Sequence, residues 1–527
     1  MHEFLGKTVS GPCTINAGCI TTKPQTIEEI IWKNRLYGFG TTKGISLQPR
    51  PGCGDPIIGQ IGPSAFINAV GLRNVGAYES AELLSKINVP EDKALVAQIF
   101  GESPEECRRT AEILLSYVSA FEINFSCGHT KIGGIVGKDL NLVERIVRVV
   151  ADLGKDVIVK PLTERIEECI RRTEKAGAKG YTLINTIGPQ PYTVDGHNVL
   201  YNKVGGVSGK AIMEKALETV REARNVTKLH ITAAGGIGTA DDIRDAFMAG
   251  ANSVGLGTRL EGLSTATIAE HSKTLYDDLL NGTNLAASLL RETMMMEYHK
   301  FTVTAKKNLD ENMFTLEFDK GIDAGAGQFV FAWLPGIGEK PFSVYDSQPL
   351  RLLLNVRGKC TRALSSLSAE KSVYIRGPYG EIPDVGGKVL LVGGGSGIAG
   401  LHLFASREGI SAVLGGKNKK QLSMAKDFNC DKMHITTEDG SLGRKGLVTD
   451  VLDLAIEQTK PDYIINCGPS AMVYRCIEIE SRYIPLERIL SSIEFLTRCG
   501  VGLCGECATS RGYRNCVDGT FLTPDRL

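Results

Sequence analysis

The sequence predicts an α/β protein whose first half is a (β/α)8 TIM barrel, followed by an antiparallel β-barrel, a nucleotide-binding α/β domain and a small cysteine-rich domain. Three observations lead to this prediction. Short apolar runs alternate with amphipathic segments up to about residue 265, alternating strands with turn residues follow, and strand–helix alternation then returns. We expect domains at 1–296, 297–384, 385–485 and 486–527.

Eight apolar runs define the predicted barrel strands, and polar or glycine residues end nearly all of them, where this fold places its active site. In chain order the runs are "CTINAG", "YGFGTTKG", "ALVAQIF", "AFEINF", "DVIVKP", "GYTLINT", "LHITAAGG" and "NSVGLGT". Patterns such as "SPEECRRTAEILLSYV" and "TADDIRDAFMAGA" predict helices between them, and a helical stretch over about 266–296 follows the last run.

The charge balance argues against nucleic acid and anionic membranes as partners and leaves small molecules or other proteins. Lys+Arg and Asp+Glu both number 60, so the formal net charge is zero. The opening "MHEFLGKTVSGPC" lacks the apolar core of a signal peptide, which predicts a cytoplasmic protein. Glycines interrupt the uncharged run at 389–406, so we interpret it as strand, turn and helix rather than a membrane span.

The stretch "CGVGLCGECATSRGYRNC", residues 499–516, indicates a metal cluster. Its spacing is Cys499-x4-Cys504-x2-Cys507-x8-Cys516, and plant-type [2Fe-2S] ligation uses C-x4-C-x2-C followed by a more distant cysteine. Glycines let such a loop wrap closely around a cluster. A four-cysteine zinc site is the alternative. Because an iron–sulfur cluster carries one electron at a time, we expect a flavin on each side of it.

Glycine-rich stretches late in the predicted barrel indicate a phosphate site. They are "GGVSGKA" (205–211), "AAGGIGTADD" (233–242) and "GLGT" (255–258), which we interpret as turns after successive strands. Backbone N–H groups and helix dipoles in such loops favour an anion. Simple tight turns without a ligand are the alternative.

A second glycine motif lies in the predicted nucleotide domain. Gly395-x-Gly397-x-x-Gly400 follows the apolar run "KVLLVG" and predicts dinucleotide binding. The acidic residue that often contacts the ribose about 20 residues later is missing. The stretch "GGKNKKQ" (415–421) stands there, so NAD and NADP both stay open.

Two stretches of the antiparallel barrel, "EKPFSVYD" (339–346) and "RGKCTRAL" (357–364), resemble those by which ferredoxin-reductase-like barrels hold FAD. The resemblance implies FAD contacts for Lys340, Pro341, Phe342, Ser343, Gly358 and Thr361. Lys340 stands where the first stretch usually has an arginine, which keeps the charge but loses the bidentate fork.

Side chains suited to a flat imide ring follow several of the predicted barrel strands. Asn68, Asn124 and Asn185 offer paired hydrogen-bond donors and acceptors. Cys127, in "FEINFSCGHT", stands beside them, and a cysteine so placed can act as a base. Lys43 and Lys160 also stand at strand ends or in the loops that follow.

With these motifs the first domain resembles a class 1 dihydroorotate dehydrogenase, and the remaining domains resemble the FAD and iron–sulfur electron-transfer subunit of the NAD-linked class 1B enzyme. The two parts are usually separate polypeptides in that family and are fused here, with the catalytic part first. The resemblance implies the cofactors FMN, FAD, a [2Fe-2S] cluster and NAD, with electrons passing from dihydroorotate to FMN, the cluster, FAD and NAD⁺. It also implies a homodimer formed through the flavin barrel.

The resemblance further implies roles for single residues. In the motif Asn124-Phe125-Ser126-Cys127, Cys127 would remove the C5 proton of dihydroorotate while a hydride leaves C6 for N5 of FMN. Pyrimidine binding is implied for Lys43, Asn68, Gly71, Leu72, Asn124, Asn185 and Thr186. FMN contacts are implied for Ala17, Gly18, Lys43, Lys160, Gly206, Gly236, Gly257 and Thr258. NAD contacts are implied for Gly395, Gly397 and Gly400, and cluster ligation for Cys499, Cys504, Cys507 and Cys516.

His129 is the main departure from the family pattern. The family's usual Ser-Cys-Pro-Asn is here Ser126-Cys127-Gly128-His129, and a Cys-x-His arrangement resembles dihydropyrimidine dehydrogenases, which reduce uracil and thymine. The stretch "NAVGLRN" has the dihydroorotate dehydrogenase form. Dihydroorotate is therefore the first expectation and a uracil-type pyrimidine the second. An electron-transfer module serving a partner protein and a zinc-stabilised flavin-binding scaffold are further alternatives.

Replacing the predicted base tests the central assignment. We expect Cys127→Ala to keep its flavin but to reduce FMN about 10²- to 10⁴-fold more slowly with dihydroorotate, because general-base catalysis contributes about that much. Anaerobic stopped-flow absorbance measures the rate. Reduction at a near-normal rate would remove Cys127 as the base.

Overall fold

The computed structural model describes residues 2–126 and 136–527. The chain divides into two compact units. One unit comprises Met1–Met295 together with Val501–Ala508, and the other comprises Met296–Gly500 together with Thr509–Leu527. The division into four domains that the sequence suggests stays a prediction.

Eight parallel strands form the core of the first unit and confirm the predicted barrel. They pair in chain order, and an isolated parallel bridge between Cys13 and Tyr37 joins the first strand to the start of the second. The strands are Cys13–Ile15, Phe39–Thr41, Ala94–Ile99, Ala120–Asn124, Asp156–Lys160, Ala178–Leu183, His230–Ala234 and Ser253–Leu256. Each overlaps one of the eight apolar runs, because a strand that is covered on both faces requires a nearly continuous apolar sequence.

Helices follow most of the barrel strands. The described α-helices of this unit are Ala77–Leu84, Pro104–Leu114, Leu140–Ala151, Ile166–Lys175, Met213–Arg224, Ala240–Met248 and Thr265–Asn281. Side-chain caps begin several of them; Thr239, for example, forms a capping box with Asp242. The expected helix over 266–296 was too long, since Gly282 ends it in a left-handed conformation with φ of 74°.

A four-stranded antiparallel sheet in the same unit was not expected from the sequence. Its order is Ile187–Pro191, Val204–Gly209, Ala65–Asn68, Ile58–Gly62. The interpretation of 205–211 as a turn was therefore wrong for most of that stretch. Its glycines allow close strand pairing instead: a Cβ at Gly205 would lie 2.5 Å from the carbonyl oxygen of Asn68.

The second unit begins with a closed barrel of six antiparallel strands, which confirms that prediction. The strand order is His299–Asp310, Met313–Phe318, Leu350–Asn355, Gly338–Ser347, Phe329–Leu334, Ser372–Tyr379. Helix Lys359–Ser365 follows Leu350–Asn355 in the chain. Closure leaves the barrel without unpaired edge strands.

A six-stranded parallel sheet follows, as expected for a nucleotide-binding domain. Its order is Arg444–Lys445, Lys432–Thr437, Ile410–Gly416, Val389–Gly394, Tyr463–Cys467, Ile489–Ser492. The α-helices of this part of the chain are Ile398–Leu401, Thr449–Thr459, Ser470–Glu480 and Asn515–Asp518. Strand order reverses between Val389–Gly394 and Tyr463–Cys467, which is where open α/β sheets bind their ligands.

In residues 2–126 and 136–527, no helix combines the length and the apolar composition that crossing a bilayer requires.

One carboxyl group inside the second unit is not matched by a cation. Glu480 ends helix Ser470–Glu480 with 0 % exposure, and its Oε2 accepts a hydrogen bond from Asn466 Nδ2 at 2.7 Å. Its Oε1 has no hydrogen-bond partner in the described part of the chain. Burial raises the pKa of Glu480 to about 8, although the bond from Asn466 acts in the opposite direction.

This carboxyl group makes stability depend on pH. The folded protein binds the proton of Glu480 more tightly than the unfolded chain does. Proton binding at Glu480 therefore contributes fully to the free energy of unfolding below the unfolded pKa near 4.5, and this contribution is lost as pH rises through about 8. We expect Glu480→Gln to gain stability relative to the wild type between pH 6 and pH 8, by at most about 1.4 kcal/mol per pH unit. Thermal unfolding midpoints of both proteins at the two pH values measure this gain. If the midpoints of Glu480→Gln and the wild type differ by the same amount at pH 6 and pH 8, the pKa assignment is contradicted.

Candidate active site

Two predicted substrate-binding amides meet where neighbouring barrel strands end. Asn124 is the last residue of strand Ala120–Asn124, and Asn185 follows strand Ala178–Leu183. Asn185 Nδ2 donates to Ser126 Oγ at 3.0 Å and to Asn124 Oδ1 at 3.4 Å. Parallel strands end on one rim, so the sheet itself brings these side chains together.

A layer of buried polar side chains supports Asn124 from inside the barrel. Asn124 Nδ2 donates to Gln98 Oε1 at 3.2 Å, and Gln98 Nε2 donates to Glu122 Oε1 at 2.6 Å. The Thr182 hydroxyl donates to the other oxygen of Glu122. This layer was not predicted, although polar residues inside the apolar runs "ALVAQIF" and "AFEINF" indicate it.

The antiparallel sheet carries Asn68 and Gly206 to the same region. Asn68 pairs with Gly206 in the sheet, and its Nδ2 donates to the Gly206 carbonyl oxygen at 3.3 Å. A Cβ at Gly206 would overlap the Thr186 hydroxyl, and the Thr186 N–H donates to Asn185 Oδ1 at 2.8 Å. Four of the predicted residues, Asn68, Asn185, Thr186 and Gly206, are therefore neighbours.

Lys160 places a buried cation beside Asn124. The two residues are aligned on adjacent strands, and Lys160 is 5 % exposed. No described residue accepts a hydrogen bond or forms an ion pair with its ammonium group. A buried ammonium group without such a partner among the described residues can be stabilised by an electron-rich or anionic ring, so Lys160 fits a flavin.

The predicted phosphate loops lie at the ends of the last strands. Gly235 and Gly236 follow strand His230–Ala234, and both have positive φ. Gly257 precedes the single turn Thr258–Leu260, and a Cβ on it would lie 3.2 Å from Asn16 Nδ2 in the first loop. Ala17 and Gly18 continue that loop, and the space around a Cβ at Gly18 is open. Glycine loops of this kind fit an FMN phosphate, because their backbone N–H groups can donate hydrogen bonds to an anion.

Gly71 and Leu72, predicted for the substrate carboxylate, both have a left-handed backbone, with φ of 75° and 56°. A Cβ at Gly71 would lie 2.6 Å from the N and Sγ atoms of Cys53, so this position requires glycine. Cys127 and His129 lie outside the described residues.

Residues 501–508, in the middle of the cysteine-rich stretch, belong to the same unit as the barrel. The Leu503 carbonyl accepts from the Ile20 N–H at 2.7 Å, and the Cys504 carbonyl accepts from Thr22 Oγ1 at 2.6 Å. Lys23 donates to the Ala508 carbonyl. Burial lowers the pKa of Lys23, while the nearby Cys507 and Glu506 act in the opposite direction. The cysteine segment thus packs on the loop that carries Ala17 and Gly18.

Glu506 gives this segment a second attachment to the barrel. Its Oε1 lies 2.8 Å from Lys43 Nζ and its Oε2 lies 3.2 Å from Arg73 Nε. Lys43 follows strand Phe39–Thr41 and is one of the predicted substrate and FMN residues. Sequence reasoning missed Glu506, because its partners lie more than 400 residues away in the chain.

In the second unit, a buried ion pair holds the backbone of Cys499. Arg376 and Glu339 have fully buried side chains and form a two-point contact of 2.8 and 2.7 Å. Arg376 Nη1 also donates to the Cys499 carbonyl at 2.8 Å, and Tyr298 donates to Glu339 at 2.7 Å. Neither Arg376 nor Glu339 was among the predicted functional residues.

Thiolates are the donors that an iron–sulfur cluster requires, and each unit carries two of the predicted ligands, Cys504 and Cys507 in the barrel unit and Cys499 and Cys516 in the second unit. Cys499, Cys504, Cys507 and Cys516 are all buried, and the described residues form no disulfide. Gly500, Gly502 and Gly505 all have φ between 66° and 83°, a conformation that favours glycine. Within residues 2–126 and 136–527, no three His, Cys, Asp or Glu side chains are arranged to hold a single metal ion.

Four of the predicted FAD residues lie on one strand of the antiparallel barrel, and the other two lie at the start of helix Lys359–Ser365. Lys340, Pro341, Phe342 and Ser343 lie half-buried on strand Gly338–Ser347. Gly358 precedes helix Lys359–Ser365, and Thr361 Oγ1 accepts from the Gly358 N–H at 3.0 Å. The open space around a Cβ at Gly358 fits the approach of a ligand to the backbone.

The predicted NAD residues lie at the switch in strand order. Gly395 has φ of 56° and open space around it, whereas a Cβ at Gly397 would overlap the Cys467 carbonyl. A Cβ at Gly400 would lie 3.4 Å from Ser343 Oγ, so this loop adjoins the predicted FAD stretch. Gly395 thus allows a tight turn, whereas Gly397 and Gly400 allow close packing, and dinucleotide-binding loops use their glycines in these two ways.

The contact between Gly206 and Thr186 can be tested by adding a methyl group. We expect Gly206→Ala to lose most of its predicted FMN and to be destabilised by ~1–3 kcal/mol, because the Cβ forces Thr186 and the predicted pyrimidine-binding amides apart. Flavin absorbance after gel filtration and thermal unfolding measure the two effects. Gly62→Ala, in the same sheet but with its nearest atom 3.8 Å away, is the matched control. Equal FMN retention in both variants would contradict the proposed packing at the site.

Comparison with known proteins gives the chain its family. The family model described as dihydroorotate dehydrogenase matches residues 1–275. A probable dihydroorotate dehydrogenase B (NAD(+)) electron transfer subunit of Pyrococcus abyssi is 37% identical over 222 residues, 41% of this chain and 86% of that protein. A dihydroorotate dehydrogenase B (NAD(+)) catalytic subunit of Pyrococcus furiosus is 34% identical over 271 residues, 50% of this chain and 88% of that protein. The chain therefore belongs to the dihydroorotate dehydrogenase family of oxidoreductases.

Proposed function

We propose that this chain oxidises dihydroorotate to orotate in pyrimidine biosynthesis and passes the electrons from FMN through a [2Fe-2S] cluster and FAD to NAD⁺. The observation that carries the proposal is the packing of the cysteine segment within the barrel unit. Residues 501–508 contact the loop that continues into Ala17 and Gly18, and they reach Lys43 through Glu506. Two of the proposed cluster ligands, Cys504 and Cys507, thus lie in a segment that touches the proposed FMN loop.

The proposal makes one polypeptide perform the work of two subunits. A relative named as a catalytic subunit and a relative named as an electron transfer subunit each have more than four fifths of their length matched by this chain. A length of 527 residues accommodates both. In this arrangement electrons leave the barrel without a separate partner protein.

The amide-rich rim supports a pyrimidine as substrate. Asn68, Asn124 and Asn185 present both donors and acceptors, and a planar imide needs both types at fixed positions. The hydrogen bonds among Asn124, Ser126 and Asn185 hold these groups before the substrate arrives. We assign the base to Cys127, which directly follows Ser126 in the chain.

The buried cation and the glycine loops support FMN as the first electron acceptor. When bound, FMN accepts a hydride from a carbon atom and can release the electrons one at a time. Lys160 would stabilise the electron-rich ring, and the N–H groups around Gly236, Gly257 and Thr258 would hold the phosphate. Lys43 would lie between the substrate and the flavin.

The second unit would supply the exit for the electrons. Lys340 to Ser343, with Gly358 and Thr361, would hold FAD, and the loop of Gly395, Gly397 and Gly400 would hold the nicotinamide nucleotide. Ser343 lies close to Gly400, so the two proposed nucleotide sites adjoin each other. We propose NAD⁺ as the final acceptor because the relatives' names specify it. A homodimer formed through the barrel remains a prediction from the family resemblance.

An anaerobic half-reaction tests the proposal. Cofactor-replete protein is mixed with dihydroorotate and, separately, with dihydrouracil, and flavin absorbance is followed before and after NAD⁺ is added. We expect dihydroorotate alone to bleach the flavin, and NADH to form when NAD⁺ follows. Bleaching only by dihydrouracil would instead favour a uracil- or thymine-reducing enzyme and direct attention to His129. Bleaching without NADH would contradict the proposed electron exit.

A further inference from the structure

Glu506 is the only acidic residue between Cys504 and Cys507, and its side chain is 7 % exposed. A carboxylate this buried remains charged only when cations or donors replace its water. Both of its oxygens have such partners: Lys43 at 2.8 Å and Arg73 at 3.2 Å. Within the barrel unit, one carboxylate therefore joins the cysteine segment to two basic side chains.

The two basic residues come from different loops of the barrel. Lys43 follows strand Phe39–Thr41, and Arg73 follows the sharply bent Gly71 and Leu72. Leu72 keeps a left-handed conformation, which a side-chain-bearing residue adopts only when its surroundings hold it. Arg73 is fixed on one side by Glu506 and on another by the Pro51 carbonyl at 3.2 Å. The contact with Glu506 thus restrains both loops.

We infer that Glu506 is a positioning residue for the substrate site, which holds Lys43 and the loop of Gly71 to Arg73 in the arrangement that binds the pyrimidine. The inference rests on the proposed function, since Lys43, Gly71 and Leu72 are assigned to the substrate there. It adds that the cysteine segment does more than carry electrons. Docking of residues 501–508 completes the substrate site of the barrel.

The isosteric variant Glu506→Gln removes the charge and keeps the shape. We expect it to reduce FMN with dihydroorotate more slowly by on the order of 10- to 100-fold, because a misplaced side chain near the reacting atoms costs that much. Orotate should bind less tightly to this variant, and the change that orotate causes in the flavin spectrum measures its binding. Amide hydrogen exchange should rise in peptides covering 41–46 and 70–75, a result that does not depend on turnover. Flavin and iron contents should equal those of the wild type.

Glu144→Gln is the matched control. Glu144 also pairs with two cations of the same unit, Arg172 at 2.9 Å and Arg148 at 3.1 Å, but on the helical exterior of the barrel. We expect this variant to keep the wild-type rate and exchange pattern. If Glu144→Gln lowers the rate as much as Glu506→Gln, the effect is a general loss of charge pairs and the inference is wrong.

Combined variants identify the route of the effect. If Glu506 acts through Lys43 and Arg73, adding Glu506→Gln to a protein that carries Lys43→Met and Arg73→Met should not slow FMN reduction further. Rate losses that multiply would overturn the inference. Should Glu506→Gln lose its cofactors, Glu506→Asp keeps the charge but cannot reach both cations, and a rate within twofold of wild type in that variant would also overturn it.

The same experiments separate this inference from the proposed function. A wild-type protein whose flavin is not bleached by dihydroorotate contradicts the proposed function. If dihydroorotate bleaches the flavin of the wild type, and Glu506→Gln binds orotate and reduces FMN as the wild type does, only the role of Glu506 is contradicted.

Discussion

Closure of the parallel ring is the constraint on which the rest of the first unit depends. The bridge between Cys13 and Tyr37 joins the first strand to the second, and Tyr37 is anchored by Ser272, whose Oγ lies 2.8 Å from its hydroxyl. Lys93 donates to the Tyr37 carbonyl at 2.6 Å from the other side. Because the ring closes, the loops after all eight strands face one rim. Residues that are distant in the chain, such as Lys43, Asn124 and Gly257, become parts of one surface only for that reason.

Three buried carboxylates show how the surroundings decide what an acidic side chain does. Glu339 faces Arg376 in a two-point contact and holds the backbone of Cys499. Glu506 divides its two oxygens between Lys43 and Arg73. Glu480 accepts a hydrogen bond from an amide rather than from a cation, and burial raises its pKa to about 8. A paired carboxylate fixes structure as an anion, whereas an unpaired one keeps its proton near neutral pH.

The barrel strands and the turn after strand Val389–Gly394 could be predicted because their signals are local. An apolar run such as Ala94–Ile99 reports burial on both faces, and Gly395 to Gly400 follows its strand directly. Contacts between distant residues leave no such signal. The antiparallel sheet pairs Asn68 with Gly206, and glycine-rich sequence there is also typical of a turn. Glu506 and Lys43 are 463 positions apart in the chain, and the sequence around either residue gives no sign that the two are in contact. The positions of Cys127 and His129 stay predictions.

The position of residues 501–508 has a consequence for how the chain acquires its structure. These residues complete the first unit, yet all of Met296–Gly500 is synthesised before them. At ~5–20 residues per second, the barrel waits roughly 10–40 s on the ribosome for its last segment. During that time Ile20 and Thr22 lack their eventual partners, Leu503 and Cys504. A barrel expressed without the C-terminal segment would therefore resemble this nascent intermediate, with the loop beside the proposed flavin site left uncovered.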